Sequence, residues 1–177
     1  MGTGRLVRRL APLVAALAAG AVLAGCADEA RIAEARAFRD APLYWVGAEF
    51  AGLPIIGIGM SPNGGGVSYG TCDPPPGEKG CQPPLLIQTV RMCAPGFPVT
   101  PLTDRRPLRG VPAGMGGGGI VLLTRVVEVR VLALDPAVGR RAVAALRSTN
   151  PGGPDAVRGG EPFPAPPPGA ERRTPCR

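Results

Sequence analysis

Three kinds of apolar run succeed one another along this chain. The first, Leu10–Leu23, is unbroken over about 14 residues and follows Arg5, Arg8 and Arg9. The second kind repeats at helical spacing. In ADEARIAEARAFRD, Ala30, Ala33, Ala37 and Phe38 recur in this way and predict a helix from Ala27 to about Asp40, its first turn a tether and its last turn docked, stopped by Pro42. Val138, Ala142, Ala145 and Leu146 form a second stripe. There Asp135 is placed to cap, Pro136 suits the first helical position, Arg147 faces the negative helix end, and Asn150-Pro151 stops the element.

The third kind reads as strand. Leu53–Ile58, Val67–Thr71 and Pro84–Val90, separated by the turn signal SPNGGG and the loop CDPPPGEKGC, predict a three-stranded antiparallel piece. Ile120–Leu134 carries the strongest β signal, with Val127, Val129 and Val131 alternating against Glu128 and Arg130 on an exposed face. It is too long for one ordinary strand and is expected to fold near Thr124–Arg125 into two. Leu108–Val111 reads as a short strand, whereas APGFPVTPLTDRRP reads as loop because prolines withhold ladder hydrogen bonds. Tyr44, Trp45 and Phe50, with Phe38, hold four of the seven aromatic residues and sit among apolar neighbours. They are expected to fill the core where helix meets sheet rather than to form a sugar-stacking platform.

Composition adds loops to this picture. With 27 Gly and 23 Pro, together 50 of 177 residues, short elements and long connections are expected. The expected class is α+β: a small, mainly antiparallel sheet with one or two packed helices, loop-rich and stapled by disulfides. One domain over residues 36–149 is expected, preceded by a tether at 26–35 and followed by a Pro/Gly-rich tail at 150–177, extended or disordered until Cys176 pins it.

The first apolar run has the order of an export signal: basic start, apolar middle, small residues at the end. A spanning helix needs roughly 20 apolar residues, and charge resumes at Asp28. The run ends in Leu23-Ala24-Gly25-Cys26, which resembles the lipobox of bacterial lipoprotein signal peptides. The resemblance covers the leader alone. It implies removal of residues 1–25, a diacylglycerol thioether on the Cys26 sulfur, frequent acylation (palmitate) of the new amino group, and a protein held on the extracytoplasmic side of a cell membrane. Loss of Arg5, Arg8 and Arg9 with no acid would lower the net charge from +7 to +4. That mild excess, without basic–aromatic interleaving, argues against a nucleic-acid groove.

Five cysteines in an exported chain leave one over, and lipid on Cys26 would account for it. The other four make an even set for an oxidising compartment, with three possible connectivities. The favoured pairing is Cys72–Cys81, a local staple of the Pro-rich turn, with Cys93–Cys176 closing a loop of about 80 residues worth roughly 4–5 kcal/mol in the chain-entropy model. A four-cysteine zinc site lacks knuckle spacing, and no metal or cofactor is expected.

The segment Gly114-Met-Gly116-Gly-Gly-Gly119 spells a dinucleotide-binding motif, but a strand should precede it and a helix follow. Here a strand follows, so a flexible glycine connection is expected. Pro164-Ala165-Pro166-Pro167 reads as a spacer. Histidine is absent, which removes the usual general base. Paired carboxylates could still work, and Asp73, Asp104 and Glu128 are the acids to inspect, each expected to be an ordinary solvated or salt-bridged group. The expected function is a membrane-tethered, non-enzymatic binding module for an envelope ligand or protein. The alternatives are a carboxylate-dependent envelope glycan hydrolase and a passive structural component.

Overall fold

A computed structural model describes residues 29–72, 80–92, 99–153 and 155–166. It opens with a helix over residues 29–37 (α1). Five strands follow: β1 (Tyr44–Trp45), β2 (Glu49–Phe50), β3 (Leu53–Ser61), β4 (Gly64–Tyr69) and β5 (Leu85–Arg91). The second half holds β6 (Thr103–Leu108), β7 (Val111–Gly116), β8 (Gly119–Leu123), β9 (Val127–Ala133), α2 (Pro136–Ala145) and β10 (Arg147–Ser148). The architecture is α+β. One antiparallel sheet of eight strands runs β2-β3-β4-β5-β9-β8-β7-β6, and β1 pairs with β10 in a separate two-stranded ribbon.

Register explains the core. Val67 faces Ile87, which faces Val131, which faces Ile120, so one apolar row crosses the four central strands. Tyr69, Leu85, Ile87, Leu122 and Val129 on that side are fully buried. α2 covers β8 and β9 through Ala142 and Val143, and β1 and α1 close over β4 and β5 through Tyr44, Trp45 and Ala35. The clustered aromatics are core, as their apolar neighbours suggest. Asp135 Oδ1 accepts from the Ala137 N–H at 2.7 Å, the cap that starts α2.

The long β signal does break at Thr124–Arg125, where Thr124 Oγ1 accepts from Val127 N–H at 3.2 Å and donates to its carbonyl at 2.8 Å. A hydroxyl-stitched turn replaces the glycine or proline that usually advertises one. Other expectations fail for physical reasons. Leu108–Val111 is the turn between β6 and β7, with Arg109 and Gly110 both at positive φ. The segment read as loop contains β6, because Pro107 lies on the outermost strand, where a missing N–H costs no ladder bond. α2 ends at Ala145, and Arg147 enters β10 rather than the last helical turn.

The tail is also corrected. Asp155, Val157 and Phe163 are buried, so residues 155–166 belong to the body. At the other end, Ile32 packs on the core, Ala35 is buried and Thr149 Oγ1 donates to the Ala35 carbonyl at 3.1 Å. The stretch expected as a tether to residue 35 is thus held along most of α1.

Two buried tyrosines tie the ribbon down, one to the sheet and one to the tail. Tyr69 Oη accepts from Val46 N–H and donates to the Gly47 carbonyl, at 3.2 and 3.1 Å, and Tyr44 Oη donates to the Asp155 carbonyl at 3.3 Å. Burial pushes the Tyr69 phenol up to about 12, against the partial relief given by the Val46 hydrogen bond, and burial raises Tyr44 further. In the unfolded chain both would ionise near 10. Their stabilising effect is complete below pH 10 and lost as pH rises from about 10 towards 12, because only the unfolded state releases protons there. Urea unfolding should therefore show Tyr69 alone costing about 2–3 kcal/mol between pH 9 and 12. A flat midpoint over that range would refute the assignment.

Candidate functional site

A cleft of about 540 Å³ opens at one end of the sheet, where β5 ends and β9 begins. Its apolar wall includes Phe38, Pro42, Leu43, Met92 and Val126. Its charged groups are Arg39, Arg91 and Arg125, with Asp40 and Asp155. Local bonds assemble it. Met92 N–H donates to the Val126 carbonyl at 3.1 Å, and Arg125 N–H to the Pro164 carbonyl at 2.9 Å, joining the β8–β9 turn to the β5 end and to the tail.

The cations have unequal partners. Arg125 Nη2 pairs with Asp155 Oδ1 at 2.6 Å. Arg91 instead donates to the Asp40 carbonyl, and Arg39 Nη1 to the carbonyls of Arg36 and Phe38 at 2.7 and 2.9 Å. A carbonyl orients a guanidinium without neutralising it, so two exposed positive charges border an apolar wall. Such a surface suits a ligand with an anionic group on an apolar body. Ser148 and Asn150 on the same wall are engaged in holding backbone: Ser148 Oγ accepts from Val157 N–H and Asn150 Oδ1 from Gly152 N–H.

The residues singled out in the sequence lie elsewhere. Cys72 and Cys81 form a disulfide with Cα atoms 5.5 Å apart. Cys26, Cys93, Cys176 and Asp73 lie outside the described residues, and so does the proposed Cys93–Cys176 pairing. Asp104 is exposed in a bulge of β6 at φ 46°. Glu128 departs from the expected exposed face: it is 2% exposed, accepts from Thr100 N–H at 2.9 Å and Oγ1 at 2.5 Å, and pairs with Arg130.

The cover over Glu128 also explains the glycine motif. Residues 100–103 run across the outer face of β7–β9, and Gly114 and Gly116 leave the room they need. A Cβ on Gly116 would stand 2.8 Å from the Pro101 carbonyl oxygen, and one on Gly114 would strike the Thr103 carbonyl. Gly117 and Gly118, both at positive φ, make the two-residue turn into β8. The glycines are a strand and its hairpin rather than a flexible connection.

Among the described residues no group of three acids or cysteines is placed to hold a metal ion. No helix there is long and apolar enough to cross a membrane. The class defined by these features is an α+β domain with a single broad antiparallel sheet and a terminal cleft. The chain matches no protein-family model, curated protein or solved structure in the comparisons made. The cleft arginines had no distinctive sequence signal, because they are drawn from 19 scattered along the chain and only folding brings these three together.

Proposed function

We propose that this chain is a membrane-anchored lipoprotein of the cell envelope, tethered through lipid on Cys26 on the extracytoplasmic side, whose folded domain binds rather than transforms its ligand. The observation that carries the anchor is the sequence Leu23-Ala24-Gly25-Cys26 behind a basic and apolar leader. The cleft supports the binding role: its two incompletely neutralised arginines stand beside apolar surface, a combination suited to an anionic amphiphile or an acidic envelope component. Glu128 and Asp155, the two buried acids among the described residues, are each held by an arginine. That arrangement favours structural pairing over proton transfer.

Mass spectrometry of the membrane-extracted protein tests the anchor. The expected N-terminal peptide begins at Cys26 and carries a diacylglyceryl group. An unmodified Cys26 inside an uncut chain would refute it. Binding is tested by thermal shift against glycan fragments and anionic lipid headgroups, since a ligand of the folded state raises the midpoint. The shift expected for an acidic ligand should disappear in Arg91→Ala and persist in Arg140→Ala, whose side chain is exposed on α2. Equal shifts in both variants would place binding outside the cleft.

A further inference from the structure

The two edges of the sheet differ in a way that the body's own stability does not require. β6, the outer strand on one side, carries Asp104, Arg105 and Arg106, all exposed, with Pro107 and a bulge. These are the usual devices that keep an edge from pairing with other chains. The opposite edge also has a proline, Pro54, and a bulge between Ile55 and Gly57, but β3 carries no charged side chain. From Phe50 to Met60 the sequence FAGLPIIGIGM contains no polar side chain; β2 pairs with Leu53 and Pro54 and Ile55 N–H donates to the Ala48 carbonyl, leaving β3 outermost from Ile56 onward. Ile56 is 44% exposed, Pro54 and Gly59 are exposed, and Leu53, Ile55 and Met60 are half-buried.

α1 lies beside this edge. Arg31 Nη1 donates to the Ile58 carbonyl at 3.3 Å, which sets this part of α1 against the middle of β3. Three residues, from the proposed lipid attachment at Cys26 to Asp28, precede residue 29, the first described residue of α1. Fully extended they span about 10 Å. A body of this size has a radius of gyration of roughly 14 Å, so the tether is too short for the domain to present its far side to the bilayer.

We infer that the uncharged edge, Phe50–Met60, rests on the lipid surface when the protein is anchored. The inference depends on Cys26 carrying the lipid. Ile56, Pro54 and Leu53 supply apolar contact at the headgroup boundary, and the unpaired backbone groups of β3 remain solvated there, as they would not be in the hydrocarbon core. Around the start of α1, Glu29 and Glu34 offset Arg31 and Arg36, so the contact is apolar rather than electrostatic and persists at high salt.

The test is hydrogen exchange read by mass spectrometry on the lipidated protein in phosphatidylcholine vesicles. It is compared with an equally lipidated variant carrying a Gly/Ser insertion of about 30 residues after Cys26, a chain of roughly 30 Å r.m.s. length. Amides of residues 50–60 should exchange at least about tenfold more slowly with the native tether, while residues 103–108 exchange alike in both. Equal exchange at 50–60, with the diacylglyceryl group present on Cys26, overturns the bilayer contact and leaves the anchor standing. An unmodified Cys26 overturns both. Protection that rises with protein-to-lipid ratio would show β3 pairing with a second copy, and overturns the inference as well.

Discussion

Arg109→Ala is expected to lower the free energy of unfolding by about 3–4 kcal/mol, a fall of roughly 6–16 °C in Tm, because one side chain closes three separate parts of the fold. Its Nη1 donates to the carbonyls of Val143 and Leu146 at 3.2 and 2.6 Å, where α2 ends. Its Nε and Nη2 reach the carbonyls of Glu161 and Arg158 at 2.8 and 2.9 Å. The guanidinium lies 4.4 Å from the centre of the Phe163 ring. Its removal leaves the α2 end without this cation and unfastens the segment that buries Phe163. Arg109→Lys should recover less than half the loss, since an ammonium cannot serve four carbonyls and a ring at once. Chemical denaturation of the three proteins measures this, and a lysine variant as stable as the parent would contradict the account.

Glu128→Ala should cost about 3–5 kcal/mol, the range for breaking one side of a buried ion pair. The carboxylate holds Thr100 through both N–H and hydroxyl, and Arg130 beside it. Without it the N–H of Thr100 has no partner, and residues 100–103 lose their seat over Val121 and Leu123, which face the same side and are buried. Limited proteolysis should then cut near residues 100–103 before the rest of the domain. Glu128→Gln keeps the shape and one acceptor, and should lose about 1–2 kcal/mol. If Glu128→Ala unfolds at the parent's denaturant midpoint and resists cleavage there, the seat contributes nothing.

Both residues show where reading the chain alone falls short. Glu128 alternates correctly with Val127 and Val129, and period-two patterning assigns it to the outer face. Whether that face meets water depends on residues 100–103, some 25 positions away, and nothing in the alternation reports them. Arg109 sits between two strands in a stretch read as one, so its role at the α2 terminus was assigned to Arg147, which follows the helix closely in sequence but lies outside it. The cleft is the same case: Arg39 and Arg125 come from two connections and Arg91 from the end of β5, each unremarkable alone.

Where local chemistry suffices, the sequence is a good guide. Asp135-Pro136 starts a helix because its bonds lie within two residues. The Cys72–Cys81 disulfide closes a short turn already bent by proline and glycine. By itself, then, the sequence determined α2 and the central strands β3, β4, β5, β8 and β9, the α+β class, the local disulfide and the break at Thr124–Arg125. Only the tertiary structure decided that the glycine run is a strand under a crossing chain, that Asp155, Val157 and Phe163 are buried, that the outer strand β6 is charged while β3 is not, and which arginines meet. The physical reason is range: backbone propensity and turn chemistry act over a few residues, whereas burial is set by whatever distant segment the fold lays on top.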